Sequence, residues 1–289
     1  MKEKIKKIDS YIKAYGIGKT VGLLYEKATH KDQKDYERWL ERHKITEAIR
    51  EVQKETVFDK QPCFSIVVPL YKTQEKYLKE LVESIKGQTY SNGELCLSDG
   101  SGGDSPLKEI LKELEHSDSR IKVISSKESL QIAENTNAAI DIATGDYIVF
   151  ADHDDILSVD ALYECTKCIN ENQEVDMIYS DEDKVSMDGQ TYFEPHFKPD
   201  LNMDLLCSVN YFCHLVVVKR QLLEQAGKLN GEYNYLGFMG KDNNGSIIID
   251  PDKIAISPNG DEVFDSVIPA LYLLRNAREV KVDLLDENK

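Results

Sequence analysis

At 289 residues with a hydrophobic fraction of 41%, the chain can bury a proper core and hold one large domain with appendages. A formal charge of −16 and a pI near 4.9 exclude an extended nucleic-acid surface and broad contact with anionic lipid. No apolar run is long enough to span a bilayer, and Met1-Lys-Glu-Lys-Ile-Lys-Lys7 is not followed by the apolar core of a signal peptide. The expectation is therefore a cytoplasmic protein, with peripheral contact at the inner face of a membrane left open.

Residues 1–60 are charged and helical in character. Tyr36, Trp39 and Leu40, then Ile45, Ala48, Ile49 and Val52, recur at three- and four-residue spacing and give an amphipathic face. They read as a helical extension packed on a main domain, with Asp59-Lys-Gln-Pro62 as the boundary.

From residue 61 a different rhythm sets in. Apolar strands at Phe64–Val68, Glu94–Ser98, Ile121–Ile124, Tyr147–Ala151 and Val175–Tyr179 alternate with helical stretches around Glu75–Gly87, Pro106–Glu115 and Ile132–Ala143. Gly145 reads as the residue closing the last of these, and Asp155 or Ser158 as the N-cap of a helix over Val159–Asn170. Such alternation predicts right-handed βαβ units and a mainly parallel central sheet between helical layers, a Rossmann-like α/β/α sandwich. A further strand at Tyr211–Lys219 and a helix at Gln221–Ala226 follow, so the domain runs over residues 61–227, with a separate segment at 228–289.

Ligands of such sheets sit beyond the carboxyl ends of the strands. Four of those ends are acidic or polar here: Pro69-Leu-Tyr71 with Glu75, Asp99-Gly-Ser-Gly-Gly-Asp104, Asp152-His-Asp154-Asp155, and Asp181-Glu182-Asp183. One aspartate would suffice to cap a helix. Three in four residues repel one another unless a positive charge lies between them, and a hard divalent cation that leaves positions open for phosphate is the usual solution. No GxGxxG follows the first strand and no GxxxxGK[ST] occurs, which removes dinucleotide and P-loop binding. The six cysteines form no disulfide framework. Cys165-Thr-Lys-Cys168 has ligand spacing but lies in a helix, and Cys213-His214 completes a zinc set only on paper, so buried thiols are expected.

Taken together, Phe64-Ser-Ile-Val-Val-Pro-Leu-Tyr71, Leu97-Ser-Asp-Gly-Ser101, Asn135-Thr-Asn-Ala-Ala139, Ala143-Thr-Gly-Asp-Tyr147, Phe150-Ala-Asp-His-Asp-Asp155, Tyr179-Ser-Asp-Glu-Asp-Lys184 and Pro195-His-Phe-Lys-Pro-Asp200 resemble the family 2 inverting glycosyltransferases of GT-A fold. The resemblance is to bacterial members that build surface polysaccharides and covers roughly residues 62–227. It implies that Pro69, Tyr71 and Glu75 hold the nucleotide and that Asp99 bonds the uracil ring. It further implies that Asp152 and Asp154 form the DxD pair that contacts ribose and a Mn²⁺ or Mg²⁺ ion on the diphosphate, extended by Asp155. Asp181, Glu182 and Asp183 then lie near the sugar or acceptor. The implied reaction moves a sugar from a nucleotide-diphosphate donor, a UDP-sugar, to a hydroxyl of a glycan or lipid-linked acceptor. The cation stabilises the leaving diphosphate, and one carboxylate acts as general base.

The second half departs from the family. Phe238-Met-Gly240 stands where a Phe-Asp-Gly is usual, which places Asp242 near the base position, although Asp242-Asn-Asn-Gly245 also reads as a polar turn. Two other readings stay open on the residues alone. One is a transferase-like domain that binds the donor as a scaffold without the base. The other is a sugar-nucleotide pyrophosphorylase, disfavoured because Val68-Pro-Leu-Tyr-Lys72 replaces that class's glycine-rich, arginine-bearing loop. The absence of membrane spans after the domain also disfavours a processive synthase. The donor sugar, acceptor, linkage and oligomeric state are not legible.

Overall fold

A computed structural model of the chain describes residues 31–172, 174–206 and 209–231. Its helices and strands run in the order α1 (Lys31–Arg42), α2 (Glu47–Glu55), β1 (Phe64–Leu70), α3 (Glu75–Lys86), β2 (Gly93–Asp99), α4 (Lys108–Ser117), β3 (Ile121–Ser125), α5 (Ile132–Asp141) and β4 (Tyr147–Phe150). Then come α6 (Ala161–Glu171), β5 (Met177–Tyr179), β6 (Glu182–Val185), β7 (Tyr192–His196), α7 (Met203–Leu206), β8 (Val216–Lys219) and α8 (Arg220–Ala226). Contacts divide the chain into two units, Met1–Lys44 with Glu182–Phe197, and Ile45–Asp181 with Lys198–Lys289. The stretch read as one helical extension is thus divided between them, α1 in the small unit and α2 in the large one.

The large unit is organised on β1, a run of apolar residues buried on both faces as a central parallel strand requires. Sheet order is β3-β2-β1-β4-β8-β5. Strands β3, β2, β1 and β4 are parallel, whereas β8 is antiparallel to both of its neighbours. The sheet is therefore mainly parallel, and the chain has the GT-A-type α/β fold. Strand pleating sends alternate side chains to two cores. Phe64, Ile66 and Val68 join Leu78 and Leu81 of α3, Leu111 of α4 and Leu162 of α6 on one side. Val67, Cys96 and Ile148 join Ala139 and Ile140 of α5 and Leu223 of α8 on the other.

Two local expectations fail for tertiary reasons. Helix α6 starts at Ala161, and neither Asp155 nor Ser158 caps it; the Gln88 side chain reaches over to accept from Leu162 N (3.0 Å) while donating to Ser158 O (2.7 Å). The cap comes from the α3–β2 connection. Gly145 is not the helix-closing residue either, because α5 ends at Asp141 with Ile142 as its C-cap. Its role is close approach: a Cβ there would sit 2.6 Å from Cys63 O and 2.7 Å from Ser65 Oγ.

Below the sheet, buried Glu94 of β2 gathers Lys122 Nζ (2.6 Å), Thr144 N (2.6 Å) and Ser65 Oγ (2.7 Å). Burial opposes its charge, but these donors outweigh burial and hold its carboxyl at about 2 instead of 4.5. A depressed acid stabilises the fold fully above its unfolded value, and this contribution disappears as the pH falls through about 2. The difference corresponds to about 3 kcal/mol at neutral pH. Glu94→Gln is expected to lose about that much and to flatten the acid limb of the stability profile, as urea midpoints between neutral pH and about pH 3 will show. An unchanged acid limb would assign that dependence to other carboxylates.

The small unit packs α1 on the antiparallel hairpin β6–β7. Buried Tyr36 donates to the Asp183 carboxylate, and burial together with that carboxylate raises its phenol. Gln33 Nε2 donates to Tyr192 O (2.8 Å), and Trp39 stacks on His43 while meeting Phe197 edge-on. Among the described residues no helix is long and apolar enough to cross a membrane.

Candidate active site

The carboxyl ends of β2, β1 and β4 lie side by side, with Leu70 in register with Asp99 and Val67 with Phe150. Asp99 ends β2 at 1% exposure. Its Oδ1 accepts from Ser101 N (3.1 Å), while its enclosed Oδ2 has no hydrogen-bond partner among the described residues. A buried carboxylate oxygen left this way is costly unless a ligand supplies the donor.

Asn135 of α5 fixes the strand ends around it. Its Nδ2 donates to Leu70 O (2.9 Å) and its Oδ1 accepts from Ser98 Oγ (2.7 Å), so one buried amide ties β1 to β2. Gly100 runs directly beneath that amide; a Cβ there would lie 2.7 Å from Asn135 Cγ and Nδ2.

Two strands from Asp99, roughly 10 Å away at the usual strand spacing, β4 breaks into Asp152-His153-Asp154-Asp155. The antiparallel register of β4 with β8 pairs Phe150 with Val216. Asp152 follows Phe150 by two residues and His214 precedes Val216 by two. There His214 Nε2 lies 3.2 Å from Asp152 Oδ2. The contact with His214 lowers the Asp152 carboxyl, against a smaller opposing effect of burial. Asp155 behaves in the opposite way: burial first, then the charges of Asp152 and Asp154, raise its carboxyl, and its enclosed Oδ2 has no hydrogen-bond partner among the described residues. Among the described residues, Asp152, Asp155 and His214 each offer a ligand atom within 4.8 Å of the other two. Two carboxylates and an imidazole fit Mn²⁺ more closely than Mg²⁺, which prefers an all-oxygen shell.

Asp154 does not enter that group; it is exposed, 3.7 Å from His153 Nδ1. Pro69 sits half-buried in β1 beside Ser98. Tyr71 is exposed beyond the strand, its ring 5.2 Å from Lys72 Nζ and its phenol lowered by Ser129 and then by Lys72. Glu75 opens α3 and pairs with Lys79 (2.5 Å). The acidic run after β5 is divided: Asp181 Oδ1 accepts from Lys198 N (2.6 Å), whereas Glu182 and Asp183 belong to β6, facing His196 Nδ1 (2.9 Å) and Tyr36. They lie in a hairpin strand, not at a strand's carboxyl end. Asp242 lies outside the described residues.

Sequence reasoning set His214 aside with the unconvincing zinc set and never reached Asn135 as a site residue. The signal for His214 was available in principle. A polar residue just before Leu215-Val-Val-Val218 reaches the same rim once that strand is taken as antiparallel. Cys165, by contrast, is the expected buried thiol, pushed up to about 12 by burial.

The sequence family described as glycosyl transferase family 2 matches residues 65–225, more than half of the chain. Among curated relatives, an uncharacterised protein, y4gI, of Sinorhizobium fredii is 36% identical over 184 residues, covering 64% of this chain and 20% of that protein. The O-antigen biosynthesis protein RfbC of Myxococcus xanthus is 33% identical over 198 residues, covering 68% of this chain and 15% of its own length. The chain thus matches only a fifth or less of the length of either relative. Among solved structures, S. aureus TarS 1–349 in complex with UDP is similar with a TM-score of 0.48 and 22% identity, over 60% of this chain and 51% of that one. On the match across residues 65–225, the chain belongs to glycosyl transferase family 2.

Proposed function

We propose that the protein is a metal-dependent inverting glycosyltransferase that moves a sugar from a UDP-sugar to a hydroxyl of a glycan or lipid-linked acceptor in cell-surface polysaccharide synthesis. The observation that carries this reading is the buried Asp99 Oδ2 without a partner, on the same sheet edge as the Asp152/Asp155/His214 group. Asp99 would offer that oxygen to the imide N–H of a uracil ring, with Pro69 and Tyr71, from the end of β1 next to β2, assigned to the nucleotide. Asp152, Asp155 and His214 would hold a divalent ion, with Asp154 available at the rim for ribose or a further ligand position. Bound there, the ion supplies Lewis-acid stabilisation of the leaving diphosphate. Inversion also needs a base that takes the acceptor proton on the opposite face of the sugar, and Asp242 is assigned that role from its place in the sequence. The relation to an O-antigen biosynthesis protein supports the polysaccharide setting.

Calorimetric titration with UDP, with and without Mn²⁺, followed by UDP release across a panel of UDP-sugars, tests the proposal. Cation-dependent binding with release is the expected result. Binding without release would point to a donor-binding scaffold, and no binding would overturn the reading of the acidic edge.

A further inference from the structure

The segment Pro195-His-Phe-Lys-Pro-Asp200 leads from the end of β7 towards α7. Within it, Lys198 reaches into the strand that follows: its Nζ donates to His214 O (2.8 Å) and to Phe212 O (3.1 Å). Its own backbone N–H is held by Asp181 Oδ1 (2.6 Å). The register of β5 with β8 pairs Tyr179 with Val216; Asp181 follows Tyr179 by two residues and His214 precedes Val216 by two. Ser180 completes the support, accepting from Leu215 N through Oγ (3.1 Å) and donating its backbone N–H to Leu215 O (3.1 Å). The carbonyls at 212 and 214 lie just before β8 begins at Val216, outside the ladder that holds residues 216–219. Charge-assisted bonds from a lysine are the stronger kind available to fix such a segment.

We propose that Lys198 is a positioning residue: by clamping the Phe212 and His214 carbonyls, it sets the backbone from which the His214 imidazole meets Asp152. Asp181 acts one step further out, as the anchor of Lys198. Removing the ammonium leaves two strand-end carbonyls without that donor and frees the imidazole to turn away from Asp152. A side chain of similar length that keeps the charge and can donate to both carbonyls should preserve the placement.

The test uses the full chain with ¹⁵N-labelled histidine, its six imidazoles observed by NMR and the His214 signals assigned with His214→Gln. In Lys198→Met, the His214 ring signals are expected to move to those of a solvent-averaged imidazole while the other five stay in place; Lys198→Arg is expected to keep the wild-type signals. An unmoved His214 in Lys198→Met overturns the proposal. Loss of the folded thermal transition in that variant also overturns it, since the lysine would then support the whole fold. A second readout rests on the proposed cation site: Mn²⁺ binding followed by electron paramagnetic resonance. It is expected to weaken about 10- to 100-fold in Lys198→Met, the usual cost of losing a residue that orients a ligand, with wild-type affinity in Lys198→Arg. Unchanged Mn²⁺ affinity in Lys198→Met would count against the clamp. If wild-type protein takes up no Mn²⁺, the cation reading fails, and the His214 signals still decide the role of Lys198.

Discussion

Asp152→Asn is expected to abolish the Mn²⁺ dependence of UDP binding and to reduce UDP release from a UDP-sugar by about 10³-fold, the loss of several kcal/mol of charge stabilisation. The substitution keeps the volume of the side chain and removes the charge that faces His214 Nε2 at 3.2 Å. Asp152 is common to the Asp152/Asp154 pair that the resemblance implies and to the Asp152/Asp155/His214 group. Asp155→Asn separates them. The grouping of Asp152, Asp155 and His214 predicts a loss close to that of Asp152→Asn, whereas the Asp152/Asp154 pair predicts near wild-type binding. The loss is the expected outcome. Calorimetry of both variants, with the thermal transition as a control for folding, reads the difference; wild-type Mn²⁺-dependent affinity in Asp152→Asn would remove the cation from this part of the sheet edge.

The second large effect is structural and reaches the proposed nucleotide site through the backbone. Gly100→Ala places a methyl 2.7 Å from the Asn135 amide, a group that is 2% exposed and bonded to both Leu70 O and Ser98 Oγ. The amide cannot swing aside without losing those bonds, so overpacking and lost hydrogen bonding act together, at a cost of about 3 kcal/mol. Asn135→Ala alone is expected to cost about 2 kcal/mol, because Leu70 O loses its side-chain donor. In the double variant the shortened side chain makes room for the new methyl, and the combined loss should fall short of the sum by about 1–2 kcal/mol. Urea unfolding of the four proteins measures that coupling. Strict additivity would show that the two residues do not share one space. UDP affinity should fall in Gly100→Ala as well, since Asp99 is the adjacent residue.

How much of this was legible in the sequence depends on the range over which each feature is determined. Strands β1 to β4 were readable because buried parallel strands are apolar runs, and Asp99 and Asp152 because each ends such a run. Direction was not readable. Val216-Val-Val-Lys219 would look the same in a parallel or an antiparallel strand, and only the pairing with Phe150 and Tyr179 shows that its beginning, not its end, lies at the site. His214 was overlooked for that reason. The start of α6 was misjudged because its cap is Gln88, more than seventy residues earlier, and no local pattern announces it. Gly145 has a recognisable residue type but a role set by Cys63 and Ser65 on another strand. Glu182 and Asp183 looked like strand-end acids because the sequence, which ends that strand at Tyr179, does not show that a hairpin strand begins at Glu182.

The place of β8 also bears on how the chain assembles. Among the described strands, β5 pairs only with β8, and β8 is made some forty residues later. Until Val216–Lys219 arrive, the β4 edge that they will cover is open and β5 has nothing to pair with. Such an edge invites pairing with other chains, and long-range strand insertion is the slow kind of step in folding. On the ribosome, the four parallel strands can form from residues already made, whereas the last two join the sheet together. His214 enters with the same insertion, so completion of the sheet and gathering of the carboxylate–imidazole group become a single event. A nascent chain that has not yet placed β8 therefore leaves a strand edge open and lacks the imidazole of the proposed cation site.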